Sequence, residues 1–349
     1  MAFDPTNPQL MAIGWRHFET IQNNFRQAGH AYSGDGGETW NSQEVIDPGI
    51  FRSDPVLEAD AQGNFFYNSL TVSNGDYWCD VYKSTDGGAT WDEGTFAYGG
   101  DKQWFSIDKT SGPGAGNIYH HWTTDYSICY PHNFTRSVDA GASYEECLSI
   151  PGDPRWGTTV VDADGNLYVA GRQGFQFVVA KSSTAQHGDV SMTWDFDVPV
   201  SLDGEILAFC GYQCPNPSGL LGQVNITTDS SGGVNHGYLY LLCSVARYSV
   251  DDPLDVMFSR STDGGLTWSD PVRVNDDPGT DAYQWFGTMS TAPDGRIDVV
   301  WLDTRDNPGL VQSRLYYSAS WDGGLTWSQN IPLGESFDPH VGWPLQEKM

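Results

Sequence analysis

The sequence predicts an all-β propeller of four-stranded blades, and three observations predict it. A pattern of eight residues, SxDxGxTW, recurs at intervals near fifty. A second turn, rich in Asp, Gly and Asn, recurs between its copies. No long amphipathic helix pattern, linker or low-complexity run interrupts the series. A period of this length containing a hairpin is the mark of a propeller or a related array of small sheets.

The cleanest copy runs from Ser84 through Asp86, Gly88 and Thr90 to Trp91. It reads as a tight hairpin, in which the aspartate accepts hydrogen bonds from backbone amides just ahead of it and glycine takes the positive φ that the turn demands. Thr and Trp begin the returning strand, and the indole packs on a neighbouring layer. The pattern repeats at Ser33–Trp40, Ser261–Trp268 and Ser320–Trp327. In Ser137–Tyr144 a serine and a tyrosine keep the hydroxyl and the aromatic. A sixth copy is split by an insertion between Ser182-Ser183 and Thr193-Trp194. The aspartates fall at 35, 86, 139, 263 and 322, so the first intervals are 51 and 53 residues.

Between the boxes lies strand, turn, strand: Val56–Tyr67 around Asp60-Ala61-Gln62-Gly63, Thr159–Val169 around Asp162-Ala163-Asp164-Gly165, and further copies over 105–119, 224–240 and 289–301. Each unit therefore reads as strands A to D, with the A–B turn and the box on one face. Six units are placed, at 1–50, 51–100, 101–152, 153–215, 216–280 and 281–338. The tail from His340 either pairs with the first unit or marks a seventh blade lost by truncation; six blades are favoured, in one domain spanning 1–349.

Composition suits that architecture. Gly 40, Pro 19 and 13% aromatic residues fit many short strands joined by tight turns. No apolar run reaches the length of a membrane-spanning helix. A net charge of −28 with only five lysines speaks against a nucleic-acid partner, because phosphate binding needs a basic surface. Six cysteines are compatible with disulfides outside the cell, and Cys129/Cys147 and Cys210/Cys214 are the expected bridges, with buried free thiols as the alternative. No signal peptide is visible at Met1. A secreted or periplasmic protein, monomeric, is the expectation.

If the boxes mark one face, the D–A and B–C loops mark the other, where binding groups concentrate. Eight of the twelve arginines fall on that loop face: Arg16, Arg26, Arg52, Arg155, Arg172, Arg247, Arg305 and Arg314. Guanidinium groups bind carboxylates bidentately, so this asymmetry points to an anion site. The alternative is that each arginine pairs with a local aspartate such as Asp54, Asp125 or Asp306. Trp104 and Trp285 lie at loop-face strand ends, where an indole stacks on a sugar or packs near the axis.

The five boxes resemble the Asp-box (BNR) repeats of sialidases and related six- or seven-bladed propellers. That resemblance implies fold strongly and function weakly, because such boxes are structural turns in glycosidases, lyases, receptors and binding propellers alike. Sialidases hold the sugar carboxylate with three arginines, attack with a Tyr activated by a Glu, and use an Asp as acid/base. This chain lacks the family's FRIP motif; Phe51-Arg52-Ser53-Asp54-Pro55 is the nearest segment, and no Glu is assignable beside a Tyr. Tyr316 is a candidate nucleophile, with a buried sheet tyrosine as the alternative. Asp54, Asp101, Asp125, Asp303 and Asp306 are candidate acid/base groups, since paired carboxylates suffice for glycosidic hydrolysis. The cluster Asp303-Thr304-Arg305-Asp306 is the densest, or else a salt-bridged loop. A lyase would draw on His17, His120 or His121 as base.

Two readings follow: a sialidase-like glycoside hydrolase acting on an acidic oligosaccharide or polysaccharide, or a propeller that binds glycan or protein without catalysis. No cofactor is expected. The acidic loops Asp251-Asp252 and Asp276-Asp277 are calcium candidates without the spacing that compels one. Arg305→Ala is expected to weaken binding of an acidic sugar at unchanged stability.

Overall fold

The computed structural model describes residues 1–42, 45–208, 210, 214–307 and 311–343. All of its regular structure there is strand, β1 to β24, in six sheets, one per repeat, which makes this an all-β propeller of six blades. Among the described residues, no helix is long and apolar enough to cross a membrane.

The first sheet holds β1 (Ala2–Asp4), β2 (Asn7–His17), β3 (Gln27–Ser33) and β4 (Asn41–Ser42). The second holds β5 (Ser53–Ala59), β6 (Phe65–Ser73), β7 (Asp76–Ser84) and β8 (Thr95–Phe96). The third has three strands, β9 (Trp104–Ile107), β10 (Ile118–His121) and β11 (Phe134–Ser137), and its expected fourth strand shrinks to one bridge between Phe134 and Leu148. The fourth sheet comprises β12 (Thr159–Val161), β13 (Leu167–Gln173), β14 (Gln176–Ser182) and β15 (Phe196–Val200).

The fifth sheet corrects a boundary. Its first strand comes in two pieces, β16 (Gly204–Glu205) and β17 (Asn225–Thr228), both paired with β18 (Leu239–Arg247), ahead of β19 (Asp255–Ser261) and β20 (Val272–Arg273). The blade therefore starts before residue 216. The Cys210–Cys214 disulfide lies in sequence between the two pieces. The sixth sheet is β21 (Gln284–Thr291), β22 (Ile297–Asp303), β23 (Ser313–Ser320) and β24 (Ile331–Phe337).

The chain divides into two compact units. One is Met1–Thr20, Phe25–Leu167 and Lys181–Phe196; the other is Ile21–Asn24, Tyr168–Ala180 and Asp197–Met349. In the first, Leu57, Phe65, Tyr67 and Tyr82 form one core cluster, and Phe66, Val81, Phe105 and Ile118 form another. In the second, Leu242, Phe258, Val299 and Trp301 fill the space between sheets.

The five SxDxGx turns share one set of bonds. In each, the serine hydroxyl donates to Asp Oδ1 at 2.7–2.9 Å, the same oxygen accepts the Thr or Ser143 amide at 2.9 Å, and Oδ2 accepts that residue's hydroxyl at 2.5–2.6 Å. Hydrogen bonds to the charged form hold Asp35 down to about 2, the Thr39 hydroxyl first among them. Gly324, at φ +81°, shows why the second glycine is required, since a Cβ there would strike the Phe258 ring. The indoles differ. Trp327 stands edge-on to Phe258 at 5.1 Å and Trp91 to Tyr67 at 5.6 Å, whereas Trp40 is exposed.

Both expected disulfides, Cys129–Cys147 and Cys210–Cys214, are formed, and Cys79 and Cys243 are free and buried. Several B–C connections are tighter than the sequence suggests: Asn74-Gly75 alone joins β6 to β7, and Gly174-Phe175 alone joins β13 to β14.

Candidate functional site

In the first unit, three basic side chains gather around Asp54. The residue opens β5 next to a register shift between Ser53 and Val56, and its backbone takes φ +46°, a conformation that costs free energy in a non-glycine residue. The Gln103 side-chain amide holds its carbonyl in place. Ser53 Oγ donates to Asp54 Oδ1 at 2.6 Å and accepts from Arg26 Nε at 3.0 Å. Lys102 Nζ lies 3.9 Å from Asp54 Oδ2 and 2.9 Å from Asp101 Oδ1, and Arg16 lies 4.0 Å from Asp54 Oδ1. Arg26 sits over the Phe51 ring at 4.8 Å and over Phe18 at 5.9 Å.

Burial pulls the Asp54 carboxyl up, but Lys102, the Ser53 hydroxyl, Arg16 and Arg26 outweigh it and hold the group below the usual range. Burial likewise opposes the Lys102 charge, and Asp101 and Asp54 more than restore it. At neutral pH the site therefore presents an ionised carboxylate among ammonium and guanidinium groups, with the Asp54 side chain 28% exposed. This chemistry suits an anionic ligand, and it suits a carboxylate acting as base or nucleophile.

In the second unit, the Asp303-Thr304-Arg305-Asp306 cluster is an ion-pair network. Asp303 ends β22 with its side chain sealed from solvent, where it accepts from Trp301 Nε1 at 2.7 Å and from Gln284 Nε2 at 3.3 Å. Arg305 reaches Asp303 and Asp276 at 2.8 and 2.7 Å, Asp277 at 3.5 Å and Asn330 Oδ1 at 3.0 Å. Burial lifts the Asp303 carboxyl above its ordinary range against the pull of Arg305. Arg305 is thus a structural partner, and the sequence-based expectation that Arg305→Ala leaves stability unchanged is corrected.

Next to this network, Tyr316 on β23 donates its hydroxyl to Asp306 Oδ1 at 3.0 Å. Its ring is stacked on Trp301 at 6.1 Å, Arg305 lies 4.3 Å above it, and only 6% of the residue is exposed. Burial, then Asp306, pushes the phenol up to about 12, so it rests protonated. Asp306, an acid/base candidate by sequence, thus takes the place beside the tyrosine that a glutamate holds in sialidases. Arg314 contacts the same carboxylate at 3.5 Å and donates to the Gly334 carbonyl.

The remaining candidates are dispersed. Arg52 is buried between Asp47 and Asp80, each at 2.6 Å, and lies open to no ligand. Arg155 pairs with Asp125 and Asp153 at 2.7 and 2.9 Å, Arg247 with Asp203 and Asp255 at 2.6 and 2.7 Å, and Arg172 approaches Glu205 at 3.8 Å. His120 is fully enclosed, with Nδ1 on the Ala97 carbonyl, and burial drives its pKa down to about 4; a base in that position meets no solute. Trp104 packs on the core around Val56 and Phe105, and Trp285 is buried with Nε1 on Ser313 Oγ at 2.9 Å. Among the described residues, no group of three or more His, Cys, Asp or Glu side chains is placed to hold a metal. Lys102 is the site residue that sequence reasoning missed. Its signal was the dipeptide Asp101-Lys102 at a D–A loop in a chain with five lysines.

No protein-family model matches the chain. A curated sialidase of Micromonospora viridifaciens is 23% identical over 335 residues, covering 86% of this chain and 48% of that protein. The chain is a six-bladed β-propeller similar in sequence to that sialidase. It spans about half the length of that curated relative. Among solved structures, a protein from Lactobacillus plantarum is 12% identical with a TM-score of 0.54, covering 92% of this chain and 81% of the other. A protein of unknown function from Dyadobacter fermentans is 15% identical at 0.51, covering 95% and 81%. A GH74 xyloglucanase from Xanthomonas campestris is 17% identical at 0.51, covering 92% and 45%. These likenesses speak for the propeller fold alone.

Proposed function

We propose that this sialidase-like propeller is a carbohydrate-active protein that binds an acidic glycan at the Asp54 cluster and hydrolyses a glycosidic bond there. The observation that carries the reading is the gathering of Arg16, Arg26 and Lys102 around one partly exposed carboxylate, in a chain of net charge −28. Such a surface repels anions everywhere except where cations are concentrated, so an acidic sugar is steered to this point. The carboxylate of the sugar meets the basic groups, while Asp54 and Asp101, both bound to Lys102, supply the pair of carboxyl groups that glycosidic hydrolysis uses. The similarity to the Micromonospora sialidase supports the class of reaction. A protein working on external glycans with two disulfides fits a secreted or periplasmic setting.

A second reading is favoured by the hydrogen bond from Tyr316 to Asp306. There the phenol attacks the anomeric carbon as its proton passes to Asp306, which a phenol resting at about 12 requires, while the glycosidic C–O bond breaks and the leaving oxygen takes a proton from water. One experiment separates the two. Turnover of a fluorogenic sialoside and of a uronate polysaccharide panel is measured for the wild type, Asp54→Asn and Tyr316→Phe. Under the first reading Asp54→Asn loses at least about a hundredfold in kcat with Tyr316→Phe close to wild type; the reverse pattern selects the second. No turnover by the wild type with retained glycan binding leaves a non-catalytic glycan-binding propeller.

A further inference from the structure

We propose that Tyr126 and Tyr77 form an aromatic platform for a second sugar ring beside the Asp54 cluster, so that the preferred ligand is an acidic oligosaccharide and not an isolated acidic sugar. The inference rests on the acidic-glycan reading above and adds to it a subsite that the charged residues do not define.

Tyr126 is 68% exposed, so its ring is open to a ligand. It stands 5.6 Å from the Tyr77 ring at an interplanar angle of 43°. Its backbone takes φ +64°, a conformation that a bulky residue adopts only when its surroundings impose it. The imposing contacts are specific. The Tyr77 amide donates to the Tyr126 carbonyl at 2.8 Å, the Ile128 amide donates back to the Tyr77 carbonyl at 3.1 Å, and Ser127 Oγ donates to the Gly99 carbonyl at 2.6 Å. Cys129, two residues on, is fixed to Cys147. The loop is a short strand addition to the start of β7, held rigid so that its aromatic group stays exposed.

The same contacts place the platform beside the charged cluster. The loop joins the Asp101 segment through the Thr123 amide, which donates to the Asp101 carbonyl at 2.9 Å, and Asp101 is the carboxylate that binds Lys102. Burial, and after it the Asp101 charge, raises the Tyr77 phenol. A flat, preorganised ring with a polar edge, set against cations, matches a pyranose attached to an acidic sugar: its apolar face stacks on the ring while the carboxylate is held next door.

Calorimetric titration tests this with sialyllactose and trigalacturonate, each against its own acidic monosaccharide, for the wild type, Tyr126→Ala and Tyr126→Phe. The wild type is expected to bind one of the two oligosaccharides roughly tenfold tighter than the monosaccharide, the size of a single stacking contact. Tyr126→Ala is expected to abolish that gap with monosaccharide affinity and melting temperature unchanged, and Tyr126→Phe to keep it. An oligosaccharide preference that survives Tyr126→Ala overturns the platform while leaving the acidic-glycan site standing. Failure of every acidic sugar to bind the wild type overturns both.

Discussion

Asp54 and Asp303 are both aspartates beside an arginine at the end of a strand, yet they sit in opposite regimes. Asp303 has no exposed side-chain surface, touches Arg305 at 2.8 Å and is lifted above its ordinary pKa range by burial. Asp54 keeps 28% of its side chain exposed, has its cations at 3.9 and 4.0 Å, and is held below that range. The cations decide the difference: burial pulls both carboxyls up, but Lys102, Arg16 and Arg26 outweigh it at Asp54, whereas at Asp303 the one opposing cation, Arg305, is shared with Asp276 and Asp277. In the second unit the charges are spent on each other because water is excluded, and a buried pair is held together chiefly by the cost of leaving either partner alone. In the first unit solvent still reaches the carboxylate, so an incoming anion can exchange with it for the cations.

The sharpest way to break this comparison is to remove Arg305. Asp303 would be left buried and unpaired, and Arg305→Ala is expected to cost about 3–5 kcal/mol in urea unfolding. A loss below about 1 kcal/mol would move Arg305 back among the binding candidates.

A smaller effect tests the same crowded region by pH. Burial, with the charges of Asp255 and Asp277, raises Asp252 to about 6, with the Leu254 amide and Arg273 opposing. A carboxyl whose folded pKa lies above its unfolded value near 3.9 stabilises the fold while protonated and loses that contribution as the pH rises from about 4 through 6. Urea unfolding across that window should show stability falling by about 2 kcal/mol from this group, the unscreened value of about 3 kcal/mol being reduced by solvent screening of a partly exposed carboxyl, and Asp252→Asn should flatten the profile. An unchanged profile would mean the acidic neighbours are already neutralised by Arg273 and Arg247.

What the sequence reveals tracks how local the determinants are. Each SxDxGxTW turn closes within eight residues, so Ser84, Asp86 and Thr90 announce their own hydrogen bonds, and the two disulfides likewise join neighbours in the chain. The arginines do not announce theirs. Arg52 finds Asp80 and Arg305 finds Asp276 across nearly thirty residues, and nothing in either local sequence says that these carboxylates will arrive. His120 was legible as a strand-end histidine, but its enclosure depends on Ala97 in another blade's loop. Tyr316 and Asp306 were each legible as candidates, whereas their pairing was hidden by looking for a glutamate where an aspartate serves. Splitting of the fifth blade's first strand into β16 and β17 followed from an insertion whose effect on pairing no periodicity encodes.

The most direct measurement compares Lys102→Ala with Arg305→Ala in two readouts, affinity for an acidic oligosaccharide by calorimetry and melting temperature. Lys102 is the basic residue bound to both carboxylates of the proposed site, and its side chain is 31% exposed. The account predicts that Lys102→Ala weakens binding about tenfold or more at a nearly constant melting temperature, while Arg305→Ala lowers the melting temperature. Undiminished affinity in Lys102→Ala, with affinity lost in a thermally intact Arg305→Ala, would contradict it.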